Sequence, residues 1–400
     1  MSNTNLINDI VLPDSMVILR NNTAILNSIG AHYDDQYQFR GAKEGSTVNL
    51  RTAQEFSVRE TMTANVQDVE QKSVPLARTV VRGIDMKYSS AELTQDVEGF
   101  KKYRLTPAMA TLGAKIDAYI YEVAAKACYQ AVTIPATNLD VADVLAAGVR
   151  LDDLGAAPRD GQRMFVSSPQ GMADIIGDTK GLFNNAASLS KNYTDGTISV
   201  PTLGFNFASS PNVYTHTTGG YNADYVVQAA PVSGATTLAV DTGTGTILVG
   251  DIFTINSVFE VNPLTKASTG RLKQFTVTTA DAGGAGTVTL NVTPAIISEG
   301  PYQNVDSLPA ISDVVAFMGT RLTQYKQAMA FHPNAISAGF CDLETPTKGV
   351  VDSGRMVEDG VSISVVQWFD GINRQEYLRF DVLFGAVLSE PRSAVRLYQP

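Results

Sequence analysis

Between residues 205 and 300 the chain carries charge at nine positions: Asp224, Asp241, Asp251, Glu260, Lys266, Arg271, Lys273, Asp281 and Glu299. That is about half the chain-wide charge density, and Thr, Val and Gly fill the space. Turn signals punctuate the stretch at Gly234, Gly243, Gly250-Asp251, Asn262-Pro263, Gly283-Gly284 and Pro294. Between them lie the short strand patterns YVVQA, TTLAV, DIFTI, QFTVTT and GTVTLNV. Short strands at regular turn spacing are the signature of a small antiparallel barrel or sandwich. Helices and strands alternate before this stretch, and mixed character returns after residue 322. The β-rich stretch therefore reads as a domain inserted into a mixed α/β chain.

Four hundred residues are too many for one compact core and imply two or three domains. An apolar fraction of 44% with 18% charged residues describes a folded protein. The formal net charge of −10 argues against a primary role in gripping phosphate backbones, which needs clustered Lys and Arg. Cys128 and Cys341 form neither a disulfide framework nor a CxxC metal pair, so two buried, reduced thiols in a cytoplasm-made protein are expected. The N-terminal residues lack the pattern of a secretory signal, and no apolar run approaches the length of a membrane span.

Residues 1–45 are mixed and polar, an arm with a short helix expected near 13–28. Residues 46–52 and 74–88 are strand-like. The charge-mixed segment between them has no core of its own, and a two-stranded excursion is the economical reading. Its carboxylates Glu55, Glu60, Asp68 and Glu70 and its cations Arg59 and Lys72 are expected to be exposed on an isolated subunit, either as a solvated surface hairpin or as an arm that reaches onto a neighbouring subunit. The plainest helix covers 106–130, with Thr106 as N-cap, Pro107 at the first helical position, and Met109, Leu112, Ile116, Tyr119, Ile120, Val123 and Ala127 at helical spacing. Lys115, Asp117 and Lys126 fall off this stripe and read as a solvated face. A second helix follows Asp140, with Asp143 in its first turn, and another opens at Ser168-Pro169 after the strand MFVS. Near the C-terminus, VSISVVQW and EYLRFDVLFGAV form an antiparallel pair turned by Asp370-Gly371-Ile372-Asn373. Leu378, Phe380, Val382 and Phe384 line one face, and Arg379 and Asp381 the other.

Catalytic patterns are missing. His32, His216 and His332 lie in three different segments with no partner at ligand spacing, so no metal site is expected. Gly243 and Gly245 begin a GxG, but Leu248 stands where a dinucleotide loop needs Gly. Asp241-Thr242-Gly243 mimics the aspartic-protease tripeptide without the second carboxylate that chemistry requires, and a turn explains it equally well. Asp152-Asp153 reads as solvated surface. No catalytic residue, cofactor site or metal site is expected, and an enzyme is not the reading.

Three segments carry a family resemblance: VGDIFTI (249–255) with VFEVNPLTKASTGRLKQFTV (258–277), QAMAFHPNAISAGFCDLETP (327–346), and the residues from 360 to 400. Together, and in this order, they resemble the coat-protein family of phage P22. The resemblance implies the α+β major capsid fold of tailed phages and herpesviruses, with axial and peripheral domains, a long spine helix and an extended loop. An antiparallel β-barrel domain would be inserted into it. On this sequence the N-terminal arm maps to 1–45, the extended loop to 46–86 and the peripheral domain with its spine helix to 87–136. The axial domain maps to 137–222 and 323–356, the inserted barrel to 223–322, and the return strands to 357–400. Relatives can carry a charged hairpin early in the insert. Here HTTGGYNAD (216–224) has one charge, Asp224, and no ion-pair role is carried over. The function implied is a major capsid protein that self-assembles, as hexamers and pentamers, into the icosahedral shell around a double-stranded DNA genome. The partners implied are further copies, a scaffolding protein and a portal protein, with no sequence-specific DNA binding and no membrane. The location implied is the virion, after assembly in the host cytoplasm. A phage tail or baseplate protein is the alternative.

Overall fold

The computed structural model describes residues 12–21, 23–33, 47–56, 58, 62, 66, 68, 72–89, 101–134, 138–155, 157–178, 198, 201–222, 225–281, 287–344, 346, 349–373 and 375–399. Contacts divide the chain into two compact units. One comprises residues 1–50, 74–121 and 336–387, the other 51–73, 122–335 and 388–400.

In the first unit, α1 (Leu12–Asn21) buries Leu12, Met16 and Leu19, and a 3₁₀ turn follows at Leu26–Ser28. The arm helix expected over 13–28 is thus two pieces. Strands β1 (Gly30–Tyr33), β2 (Thr47–Arg51), β3 (Ser73–Ala77) and β4 (Val80–Ser89) come next, and β2 pairs with β3 as the stem of the predicted excursion. The spine helix α2 (Thr106–Ala127) buries Met109, Leu112, Ile116 and Ile120, the spacing of one helical face. Its start differs from expectation. A π-helical turn at Lys101–Leu105 runs into it, so Thr106 is an interior residue and not a cap. Pro107 has no N–H to give, and the wider turn absorbs the gap in the hydrogen-bond ladder.

Asp117 is a second correction. It is fully buried, and its carboxylate accepts from the backbone N–H groups of Ile25 (2.9 Å), Leu26 (3.1 Å) and Ala24 (3.4 Å). A carboxylate off the apolar stripe thus fastens the turn after α1 to the spine helix. Sequence spacing puts it on a solvated face because the arm residues that cover it lie more than ninety positions away. Burial pushes its carboxyl up from the ordinary range, and the three donors pull it part of the way back.

The main sheet of the first unit is built on the long strand Gln375–Leu388, which pairs antiparallel with Val361–Asp370 through the predicted turn. Asp370 closes that turn by accepting from the Ile372 N–H (2.9 Å) and the Asn373 amide (2.8 Å). Leu378, Phe380, Val382 and Phe384 are buried as expected. On the other face Asp381 is also nearly buried, receiving Arg379 Nε at 2.5 Å. Gly83 on β4 lies opposite, where a Cβ would come within 2.3 Å of the Asp381 carboxylate. Close strand approach requires glycine there.

In the second unit the insert forms a six-stranded antiparallel sheet. Its strands are 226–227, 235–241, 252–261, 268–277, 288–296 and 315–317, ordered so that the first and last are the edges. Those edges meet. Val226 bridges Val314, Val227 N–H donates to Asp313 and Val315 N–H donates to Tyr225, each at 2.9 Å. The barrel is therefore nearly closed. Leu238/Val240, Phe253/Ile255, Phe275/Val277 and Leu290/Val292 are all buried, two apart on their strands, which is the period that points alternate side chains inward. The Asp241-Thr242-Gly243 tripeptide is a turn. Asp241 accepts from the Thr242 N–H at 2.7 Å, and a Cβ on Gly243 would strike the Tyr225 ring at 2.2 Å.

Beside the barrel, a mixed sheet joins 131–133, 394–399, 324–331, 164–167 and 206–209, with 215–217 alongside. Helices α3 (Val141–Asp153) and α4 (Pro169–Asp178) follow the predicted starts, and Asp140 with Asp143 makes a reciprocal capping box. Strand 324–331 alternates from Gln324 to Gln327 and then loses its period. Gln327 to Phe331 are all buried, and a strand covered on both faces shows no period of two.

Asp117→Ala strips two buried N–H groups of their acceptor and should lower the unfolding free energy by about 2–4 kcal/mol, read by denaturant melts of the free subunit. Asp117→Asn keeps an acceptor and should cost less. Because the folded chain holds the Asp117 proton more tightly than the unfolded chain, this group stabilises most below the ordinary carboxylate range. Its contribution is lost as pH rises through the raised value, and D117N should remove that slope. Residues 223–322 expressed alone should melt cooperatively, checked by calorimetry.

Candidate functional site

The sequence places six candidate contact residues on the excursion 53–73. Arg59, Glu60 and Glu70 lie outside the described residues. Glu55, Asp68 and Lys72 are described, and they fare differently.

Glu55 departs from the exposure expected of it. Its side chain is 20% exposed and ion-paired within its own chain, to Arg392 Nη1 and to Lys266 Nζ at 3.4 Å. Arg392 also holds Glu390 at 2.8 Å, and Lys266 donates to the Pro301 carbonyl. The Arg392 guanidinium loses hydration by burial, yet its two carboxylate partners raise it above the ordinary value. Lys72, on the returning side, sits 3.3 Å over the Tyr302 ring centroid, a cation–π contact. Thr52 N–H donates to the Lys72 carbonyl, so Glu55 and Lys72 stand near each other at the base of the excursion. Both ends of the segment are thereby clamped to the turn at 300–302, Lys266 and the 390–392 turn. Asp68 is exposed. Its backbone carbonyl accepts from Gln54 at 3.3 Å, while its carboxylate has no partner among the described residues.

Sequence reading missed two groups. Arg392, Glu390, Lys266 and Tyr302 are far from Glu55 in sequence, and no local spacing signals them. The second group is visible in the letters. Phe56, Val58 and Val66 are 59%, 86% and 88% exposed. Apolar residues in a segment with no core of its own are the sign of a surface completed by something else.

The remaining polar clusters hold structure. His216 Nε2 lies 2.9 Å from Asp251, both buried, and Asp251 also accepts from the Leu248 (2.7 Å) and Gly219 (3.2 Å) N–H groups. Among the described residues no hydroxyl or thiol hydrogen-bonds the His216 ring, so the pair has no nucleophile to activate. His332 faces Asp160 at 3.2 Å. His32 lies on β1. Asp152 is paired with Arg159 and Arg163, and Asp153 with Arg271, so this carboxylate pair is an ion-pair node and not free surface. Cys128 is buried and its thiol is pushed up to about 11 by burial, which makes it inert. No group of three or more His, Cys, Asp or Glu side chains suited to a metal occurs among the described residues. No described helix is long and apolar enough to cross a membrane.

A sequence-family profile described as P22 coat protein, gene protein 5, matches residues 59–398. No curated protein matches the chain. Among solved structures, a chain from Mycobacterium phage Che8 is 12% identical, covering 94% of this chain and 91% of its own, with a TM-score of 0.48. The capsid structure of Cyanophage P-SCSP1u aligns at 8% identity over 94% of this chain and 88% of its own, with a TM-score of 0.46. The CUS-3 coat protein I-domain aligns at 24% identity over 25% of this chain and 98% of its own, with a TM-score of 0.20.

Glu55→Gln keeps the shape and removes the charge that Arg392 and Lys266 share. It should destabilise the fold by only about 1 kcal/mol, as for a partly exposed pair. It should nevertheless loosen the base of the excursion, seen as faster limited proteolysis within 53–73 than in the parent chain.

Proposed function

Since the chain belongs to the P22 coat protein family, whose profile spans residues 59–398, we propose that segment 53–73 is the arm by which one copy grips the next. The chain is a major capsid protein, a structural subunit that forms a phage shell, and the family match over most of its length carries that conclusion. Its fold is the α+β capsid arrangement implied by the family, with an antiparallel barrel inserted. The inserted domain spans 223–322, between axial segments 137–222 and 323–356, and the peripheral domain takes 87–136 and 357–400.

What supports the arm is its surface. Phe56, Val58 and Val66 are exposed on a segment whose base is clamped by Glu55 and Lys72. Covering such side chains yields about 25 cal/mol per Å² of apolar area. Repetition around a lattice turns modest contacts into a stable shell. Asp68 and the charged positions Arg59, Glu60 and Glu70 would set the register of that contact. Copies would be grouped in hexamers and pentamers, guided by a scaffolding protein and closed at a portal, within the host cytoplasm before release in the virion. The net charge of −10 suits a lining that encloses double-stranded DNA without holding it, since phosphate binding scales with basic charge. The role needs no catalysis and no cofactor.

Deleting residues 55–70 should leave a soluble, folded subunit that forms no shells, judged by negative-stain microscopy beside the full chain. Shells of normal size from the deletion would overturn the arm.

A further inference from the structure

The second unit holds a cavity of about 390 Å³. Its wall is Ala131, Val132 and Thr133 of an edge strand, Ala146, Val149 and Arg150 of α3, and Arg271 and Met318 of the barrel. Leu145 and Val149, one turn apart on α3, are 47% and 42% exposed, so an apolar strip leads into it.

Its cations are unequally partnered. Arg271 Nη1 is 2.7 Å from Asp153, and Lys273 behind it is 2.8 Å from Glu260, both of that pair buried. Arg150 has no hydrogen bond or ion pair among the described residues. Of these three cations only Arg150 has no carboxylate in contact among the described residues, and its guanidinium lies on the cavity wall. Burial already pulls that guanidinium down from its ordinary value. A cation losing hydration without an anion in contact is a cost that a carboxylate would relieve.

The strand edge is half used. The Gln274 side-chain amide takes the outward N–H and C=O of Ala131, at 2.9 and 3.0 Å. The Arg396 N–H donates to the Gln130 carbonyl, which fixes the alternation and turns the N–H and C=O of Thr133 to the same open edge. The site thus asks for an extended peptide with an apolar side chain and a carboxylate two residues on, where side chains share a face.

The chain itself supplies one. Val66 is exposed, and Asp68, two residues later, is an exposed carboxylate without a partner among the described residues. A pocket and a complementary projection on one molecule make a head-to-tail contact between copies. Resting on the capsid reading above, we propose that the cavity walled by Arg150, Val149 and Thr133 receives Val66 and Asp68 from segment 53–73 of a second copy.

The full-length chain tests this by charge exchange and by cross-linking. Asp68→Arg and Arg150→Asp should each cut shell yield about tenfold, as for losing one close interfacial charge pair. The double variant should recover most of it. In assembled shells, Val66→Cys with Val149→Cys, both exposed positions that should leave folding intact, should give interchain disulfide ladders on oxidation. Val66→Cys alone should give none. Shells that form normally without a ladder, or a double variant no better than its worse single, overturn the docking site and leave the capsid reading standing. A parent chain that forms no shells under any assembly condition overturns both.

Discussion

A segment that carries apolar side chains but no core of its own is stable in place only when another surface covers it. That constraint governs the excursion between the strands Thr47–Arg51 and Ser73–Ala77. Phe56, Val58 and Val66 face solvent in the single chain. What the chain does fix is the base. Glu55 is held by Arg392 and Lys266, and Lys72 lies on Tyr302. These partners sit on a unit with a barrel core of its own, so the direction in which the arm leaves is set before a second copy arrives. Preorganisation of that kind lowers the ordering cost of association.

Buried charge joins distant segments. Asp117 ties the turn after α1 to the spine helix, and the Lys273–Glu260 pair sits against the Tyr129 ring. His216–Asp251 links strand 215–217 to the turn that opens strand 252–261. Breaking such a group by removing one partner costs more than the pair contributes, because the other partner stays buried. These residues therefore specify which segments meet, and none of them supplies a nucleophile with a base and an open site.

Much of the fold is legible in the sequence because it rests on local periodicity. The barrel strands alternate, Asp140 and Asp143 mark a helix start, and the C-terminal strand pair shows both its faces and its turn. Three features resist for physical reasons. Strand 324–331 is buried on both faces from Gln327 onward and so loses its alternation there. Thr106 reads as a cap, yet the helical path begins earlier in a π turn that local preference does not announce. Asp117 and Glu55 look like surface carboxylates, because the groups that claim them are ninety and more positions away. The contact segment itself is legible in outline from its length and charge mixture. Its exposed apolar positions are a stronger signal than its charges, since one of those charges, Glu55, is already paired within the chain.

Backbone amide exchange, followed by mass spectrometry on the free subunit and on the assembled shell, measures directly whether a second copy covers the arm. Peptides from 53–73 should gain strong protection on assembly while the barrel strands change little. Equal exchange of those peptides in both states would contradict the account.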